Sequence, residues 1–223
     1  MPFTIEQAIP EHAAAIAKIF LSDETSDFLR LQLGTVDPAI LNGGLTERLA
    51  VSIKRPRETY IIARDDETQE IVSYAQWILP RDAMDVVVGQ TVDEQVHETE
   101  QYRRTLLPGM NEALVMDFRK RIREMKNDVL KGRRYYLLGN LGTLPWYRGR
   151  GAASALSRWP LSEADKECIL VYLDTDQEGS ARRMYEKLGF ERVGEAIFDL
   201  SRYGGEGMHT HVAMIREPSW SGG

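Results

Sequence analysis

The chain is short of cysteine: Cys168 is the only one among 223 residues, so no internal disulfide can form. That suits a reducing compartment. Long apolar runs are missing as well, and none approaches the roughly 20 residues that span a bilayer. The opening Met1-Pro2-Phe3-Thr4-Ile5-Glu6-Gln7 lacks the basic region and apolar stretch of a secretory leader. Positive charge is in deficit, with 28 Lys and Arg against 34 Asp and Glu. This excludes the broad basic footprint of general nucleic-acid binding. No Gly-x-x-x-x-Gly-Lys-Ser/Thr or Gly-x-Ser-x-Gly string occurs, which removes the P-loop and the nucleophile elbow. The expectation is a cytoplasmic protein with no membrane or nucleic-acid partner.

What is present is an ordinary globular composition, 43% apolar and 28% charged. The length fits one domain with an elaboration, and no internal repeat or low-complexity linker divides it. Alternation and apolar runs predict strands at 3–9, 59–64, 71–78, 135–144, 169–173, 190–199 and 209–216. Helices are predicted at 13–20, within 24–55, near 109–130, at 151–165 and at 180–188. Asp37-Pro38 and Gly43-Gly44 punctuate the second of these. Pro160 kinks or ends the helix at 151–165, and Gly189 stops the last one. Residues 80–134 read as a helical insertion, passing from an acidic stretch (Asp93, Glu94, Glu98, Glu100) to a helix rich in Arg and Lys, with opposite charges set along solvated faces. The fold class expected is α/β (α+β), one domain over 1–218 with a polar tail at 219–223.

The chemistry-bearing segment is a glycine-broken strand, then Arg148-Gly149-Arg150-Gly151-Ala152-Ala153, then a helix. Unpaired amides at a helix start and the helix dipole favour an anion, and glycine lets a phosphate approach the backbone. Arg148 and Arg150 add charge. Small residues here also suit close helix-on-sheet packing. Gly149-x-Gly151-x-x-Ser154 approaches a dinucleotide fingerprint with Asp174 as the ribose acid. Ser154 in place of the third glycine, and too little chain for further parallel units, count against it.

The run Leu141-Gly142-Thr143-Leu144-Pro145-Trp146-Tyr147-Arg148-Gly149-Arg150-Gly151-Ala152-Ala153 resembles the acetyl-CoA signature of the GNAT superfamily of N-acetyltransferases. Its core, Arg/Gln-x-x-Gly-x-Gly/Ala, is met by Arg148, Gly151 and Ala153. Tyr185-Glu186-Lys187-Leu188-Gly189-Phe190 is similar to a second block of the same superfamily. The overall character is most similar to fungal small-molecule members, including the His209-Thr210-His211 strand. The resemblance implies a mixed sheet of about seven strands, whose fourth and fifth strands splay apart to take acetyl-CoA. The pantetheine arm would bond the backbone near Leu141 and Thr143, and the pyrophosphate would rest on the amides of Arg148, Gly149, Arg150, Gly151, Ala152 and Ala153.

Acetyl transfer to an amine needs a proton acceptor, an oxyanion donor and a proton for the leaving thiolate. A free amide at a strand bulge around Gly142–Thr143 suits the oxyanion. Tyr185 occupies the position of the superfamily's proton-donating tyrosine, though a core aromatic would look the same in sequence. Asp174, ending a buried strand, and Glu178 are the candidate bases. The stretch from Leu173 to Tyr185 is one residue shorter than the common pattern. Asn140 is placed to orient water. His209 and His211 share a strand face but have no third metal ligand, and they read as solvent-facing; no metal is expected. Cys168 reads as a packed small residue. Trp77, Trp146, Phe20 and Phe28 are candidates for lining an acceptor pocket or for plain core. The function expected is transfer of an acetyl group from acetyl-CoA to a small-molecule amine, with a homo-oligomer possible. The alternative is a non-catalytic acyl-CoA-binding or sensing protein.

Overall fold

Seven strands form one mixed sheet in the order β1-β2-β3-β4-β5-β7-β6. The computed structural model describes residues 2–22, 27–80 and 92–219. The side chains of Asp93 and Glu94 and the tail at 220–223 lie outside the described residues. Strands β1 (Phe3–Gln7), β2 (Glu58–Asp65), β3 (Ile71–Ile78) and β4 (Tyr135–Thr143) run antiparallel in sequence, and β4 pairs in parallel with β5 (Leu170–Asp176). Strand β7 (Met208–Arg216) lies between β5 and β6 (Glu191–Asp199) and is antiparallel to both. The fold expected from the sequence is the fold observed: a mixed sheet of seven strands flanked by helices, with helices inserted between β3 and β4.

The first helices are placed by the apolar residues they bury. Helix α1 (Ala13–Leu21) buries Ala13, Ile16, Ala17 and Ile19. Helix α2 covers Asp27–Leu33 and buries Phe28. Helix α3 (Pro38–Ser52) starts where Asp37 accepts from the amides of Ala39 and Ile40, with Pro38 in its first turn. It runs straight through Gly43 and Gly44, against the expected break. The cap at Asp37 and the burial of Leu49 outweigh two glycines that cost only about 1 kcal/mol each.

The insertion carries α4 (Val92–Arg103) and α5 (Glu112–Leu130). Its expected opposite charges do meet: Arg119 bonds Glu98 at 2.9 Å and lies over the Tyr102 ring. Helix α5 is capped by Asn111 and ends on left-handed Lys131, and it buries Leu114, Val115, Met125 and Leu130. With Phe28 of α2 it covers one face of β5, β7 and β6, where Leu170, Tyr172, Ala213, Ala196 and Phe198 are buried. The opposite face of β5, through Val171 and Leu173, packs with Val212, Met214, Tyr185 and Phe190. The expectation that this strand is buried on both sides holds.

Past the glycine turn, α6 (Ala152–Arg158) and α7 (Leu161–Lys166) meet at Trp159-Pro160, so the predicted helix is broken where proline stands. Helix α8 spans Ala181–Lys187. Ser219 is no loose tail residue, because its amide and hydroxyl bond Asp165 at 2.8 and 2.9 Å. Cys168 is exposed with a left-handed φ of 54°, not packed as expected; it lies on the turn from α7 into β5, where no strand or helix covers it.

Candidate active site

Strands β4 and β5 pair only from Tyr135↔Leu170 to Leu138↔Leu173. Beyond Leu138, β4 stays on β3, while beyond Leu173, β5 stays on β7 as far as Asp176↔His211. The two therefore part inside the sheet. The cause is local. The register of β3 against β4 jumps from Gln76↔Asn140 to Trp77↔Leu138, leaving Gly139 as an extra residue. The bulge thus lies at Gly139 and not around Gly142–Thr143 as the sequence suggested. Glycine spacing alone does not reveal which residue lacks a partner, because that depends on β3.

The amide of Leu144 donates to Val72 of β3 at 2.9 Å. Amides alternate sides along an antiparallel strand, so those of Leu141 and Thr143 point toward the side β5 has left. Gly142 lies against Tyr74 and Ile19: a Cβ there would come within 2.7 Å of the tyrosine ring. Asn140 is exposed and donates to Gln76, which donates to Glu58 at 2.8 Å. Burial alone would raise the Glu58 carboxyl, but bonds from Ser52, Arg55 and Gln76 outweigh it and hold it low. This polar row crosses three strands beside the parting.

The turn beyond β4 takes positive φ at Gly149 (76°) and Gly151 (93°), and among the described residues no atom beyond the immediate chain neighbours lies within 4 Å of where either Cβ would stand. The amides of Ala152 and Ala153 are in the first turn of α6, where a helix offers them no carbonyl. The amide of Arg148 is differently placed, since it donates back to Pro145 at 3.3 Å. The Arg148 Nε donates to the Thr143 carbonyl at 3.4 Å, and the Arg150 guanidinium lies 5.0 Å from the Tyr147 ring centre.

Helix α8 ends in a Schellman motif that accounts for the block Tyr185 to Phe190. The Phe190 amide reaches the Tyr185 carbonyl, the Gly189 amide reaches Glu186, and Gly189 takes φ 85°. The apolar contact that accompanies this motif is the Tyr185 ring against Phe190, 5.8 Å between centres. Tyr185 is 4% exposed. Burial, and then the charge of Asp174, push its hydroxyl well above the ordinary tyrosine range.

Asp174 is the first residue of β5 past the last pair with β4. By alternation it shares the face of Leu170 and Tyr172, the face opposite Tyr185. His211 Nε2 lies 2.9 Å from Asp174 Oδ1, His209 Nε2 lies 3.3 Å from His211 Nδ1, and His209 Nδ1 lies 4.0 Å from Asp176 Oδ2. The two histidines are not solvent-facing as expected: their side chains are 8% and 14% exposed. Phe28 stacks flat on His209 at 3.7 Å and Phe118 meets His211 edge-on. Residues from α2 and α5 make that cover, and no pattern within the strand announces it. The alternation with apolar Val212 and Met214 did mark both histidines as one face.

Of the other candidates, Glu178 is exposed on the turn after β5, its amide donating to Asp176. Trp77 is buried, donating to the Leu156 carbonyl, whereas Trp146 is exposed and Phe20 is partly buried against the core. Among the described residues, no group of three or more His, Cys, Asp or Glu is arranged to hold a metal, and no helix is long and apolar enough to cross a membrane.

A family model described as "Acetyltransferase (GNAT) domain" matches residues 120–192. No curated protein sequence matches the chain. Among solved structures, a Drosophila melanogaster polyamine N-acetyltransferase that forms N-acetylagmatine shares 15% identity, with 97% of this chain and 100% of that one covered and a TM-score of 0.62. An arylalkylamine N-acetyltransferase 2 from Aedes aegypti shares 14%, over 98% and 100%, at 0.59. A Corynebacterium glutamicum structure, described as histone acetyltransferase HPA2 and related acetyltransferase, shares 18% over the whole of both chains at 0.60. The chain therefore has the fold of the GNAT acetyltransferases, and the segment that matches their domain model holds the parted strands, the glycine turn and the Tyr185 helix.

Proposed function

We propose that this protein transfers an acetyl group from acetyl-CoA to the amine of a small molecule. The observation that carries the reading is the parting of β4 and β5 after Leu138 and Leu173, with Asp174 on one face and Tyr185 on the other. The residues present fit the cosubstrate. Leu141 and Thr143 turn backbone groups into the parting, and the turn at Gly149 and Gly151 leaves room for a diphosphate at the start of α6. Arg150, Gly151, Ala152 and Ala153 hold the diphosphate in this reading, with the side chain of Arg148 beside them. When bound, acetyl-CoA supplies an acyl group activated as a thioester.

The chain's own residues supply the rest. An alkylamine is protonated at neutral pH, with a pKa of about 10.4 for a lysine-like group. Asp174 removes the proton from the face lined by α2 and α5, the side on which the amine approaches. Tyr185, kept as a neutral phenol by burial, holds a proton toward the departing sulfur from the other face. The main chain of β4 at the Gly139 bulge, past its last pair with β5, offers a donor to the carbonyl oxygen as negative charge develops on it. Glu178, on its exposed turn, is given no part. Solved structures of similar fold that are described as polyamine, agmatine and arylalkylamine N-acetyltransferases support a small amine as acceptor.

The test is release of coenzyme A thiol from acetyl-CoA with agmatine, spermidine and 2-phenylethylamine, with mass detection of the N-acetyl product. Turnover with any of them supports the reading. Binding of acetyl-CoA by calorimetry without thiol release from any acceptor favours a sensing protein instead. Failure to bind acetyl-CoA overturns both.

A further inference from the structure

We infer that His209 and His211 are positioning residues for the proposed proton acceptor: His209 fixes the tautomer of His211, and His211 thereby presents a permanent N–H donor to Asp174. The inference rests on the acetyl-transfer reading above, which uses Asp174 but leaves both histidines without a role.

Proton counting within the cluster carries it. A neutral imidazole has one N–H and one bare nitrogen. His211 Nε2 stands 2.9 Å from a carboxylate oxygen, so its proton belongs on Nε2; a bare nitrogen there would face Asp174 Oδ1 lone pair to lone pair. His211 Nδ1 is then the acceptor, and the atom it meets at 3.3 Å, His209 Nε2, must be the donor. The opposite placement on His209 would aim its proton at Asp176 Oδ2, which at 4.0 Å is beyond direct hydrogen bonding. One assignment satisfies both short contacts with both rings neutral and Asp174 ionised.

The surroundings favour that state. His209 lies flat on Phe28, with ring planes 4° apart, and also faces Phe198. His211 is held edge-on by Phe118 at 87°. Burial pushes the His209 imidazole down to about 4 against the opposing charge of Asp176, so it stays neutral across the physiological range. The charged groups around the pair are Asp174 and Asp176 of β5. From α5, Arg121 lies over the Phe198 ring and Asp117 accepts from Tyr203. From α2, Asp27 and Arg30 pair with each other at the exposed side. With His211 bonded to Oδ1, the second oxygen of Asp174 is the one that takes the amine proton.

Two substitutions separate this role from packing. His209→Phe keeps a ring to stack on Phe28 but has no donor. His209→Gln loses the ring but places an amide N–H at the reach of Nε2. Turnover is measured with acetyl-CoA and the best amine of the panel above. We expect His209→Phe to lower kcat roughly tenfold or more, the scale of such outer positioning bonds, with KM for acetyl-CoA little changed. A carboxylate that loses a donor gains a proton more readily, so the acid limb of its pH profile moves to higher pH. His209→Gln recovers most of both. Nitrogen-15 spectra of the histidine rings give a readout independent of catalysis: His211 is the Nε2–H tautomer in the wild type and departs from it in His209→Phe. A wild type with His211 protonated on Nδ1, or a Gln variant as impaired as Phe, overturns the role. A wild type that acetylates no amine overturns the functional reading instead, while the spectra still decide the tautomer.

Discussion

Leu138 of β4 and Leu173 of β5 are the last residues at which the two strands pair, and the next residue on each, Gly139 and Asp174, begins the parting. A strand pair that ends in mid-sheet exposes backbone donors and acceptors that would otherwise be satisfied. Such a break is costly unless a ligand uses it, and the glycine turn that follows β4 lies at its end. This relationship orders the predictions below.

Gly151 sits at φ 93° with open space on its Cβ side. Gly151→Ala would force an alanine into the left-handed region, costing about 1 kcal/mol of stability, and would set a methyl group against the diphosphate. The dissociation constant for acetyl-CoA, measured by calorimetry, is expected to rise about tenfold or more, with the protein still folded. An unchanged constant would move the diphosphate elsewhere.

Tyr185→Phe keeps the ring against Phe190 and so preserves the Schellman closure of α8. If the hydroxyl protonates the departing sulfur, kcat falls about a hundredfold while acetyl-CoA affinity stays near wild type. Chemistry must be rate-limiting for this reading, which single-turnover kinetics checks. Equal kcat under those conditions would reduce Tyr185 to a core aromatic.

Gly142→Ala has no room, with Tyr74 Cε1 2.7 Å and Ile19 Cγ2 3.0 Å from the new methyl. Both neighbours are buried, so the core must shift at a cost of roughly 1–3 kcal/mol. Urea denaturation should show a lower midpoint with an unchanged slope.

Asp165 holds the end of β7 through two bonds from Arg216, at 2.8 and 2.9 Å, and two from Ser219. Hydrogen bonds from Arg216 first, then those from Ser219, outweigh burial and hold its carboxyl down at about 2. A depressed carboxyl stabilises the fold above its unfolded value of about 4, and the contribution fades as pH falls through about 2. Asp165→Asn should cost roughly 1–2 kcal/mol at neutral pH and flatten the dependence of stability on pH between 4 and 2. Chemical denaturation across that interval measures it.

Legibility in the sequence followed the range of the forces involved. The break at Pro160 and the stop at Gly189 were readable because each depends on one residue's backbone and its immediate neighbours. The double burial of Leu170 to Leu173 was readable from an unbroken apolar run. Gly43 and Gly44 misled because a remote cap and tertiary packing overrode a small local penalty. The bulge was misplaced by three residues because register belongs to a pair of strands, not to one. The histidines were read as exposed because their cover arrives from Phe28 and Phe118, about 180 and 90 residues away along the chain.

By itself the sequence determined the order of strands and helices, the glycine turn after β4 and the closure of α8, because dihedral preference and short-range hydrogen bonds act within a few residues. Only the tertiary structure decided where β4 and β5 part, that Asp174 and Tyr185 stand on opposite faces of that parting, and that two histidines stand behind the carboxylate. Those outcomes depend on strand register and on which distant helix covers which face, and both are settled only when the whole core packs at once.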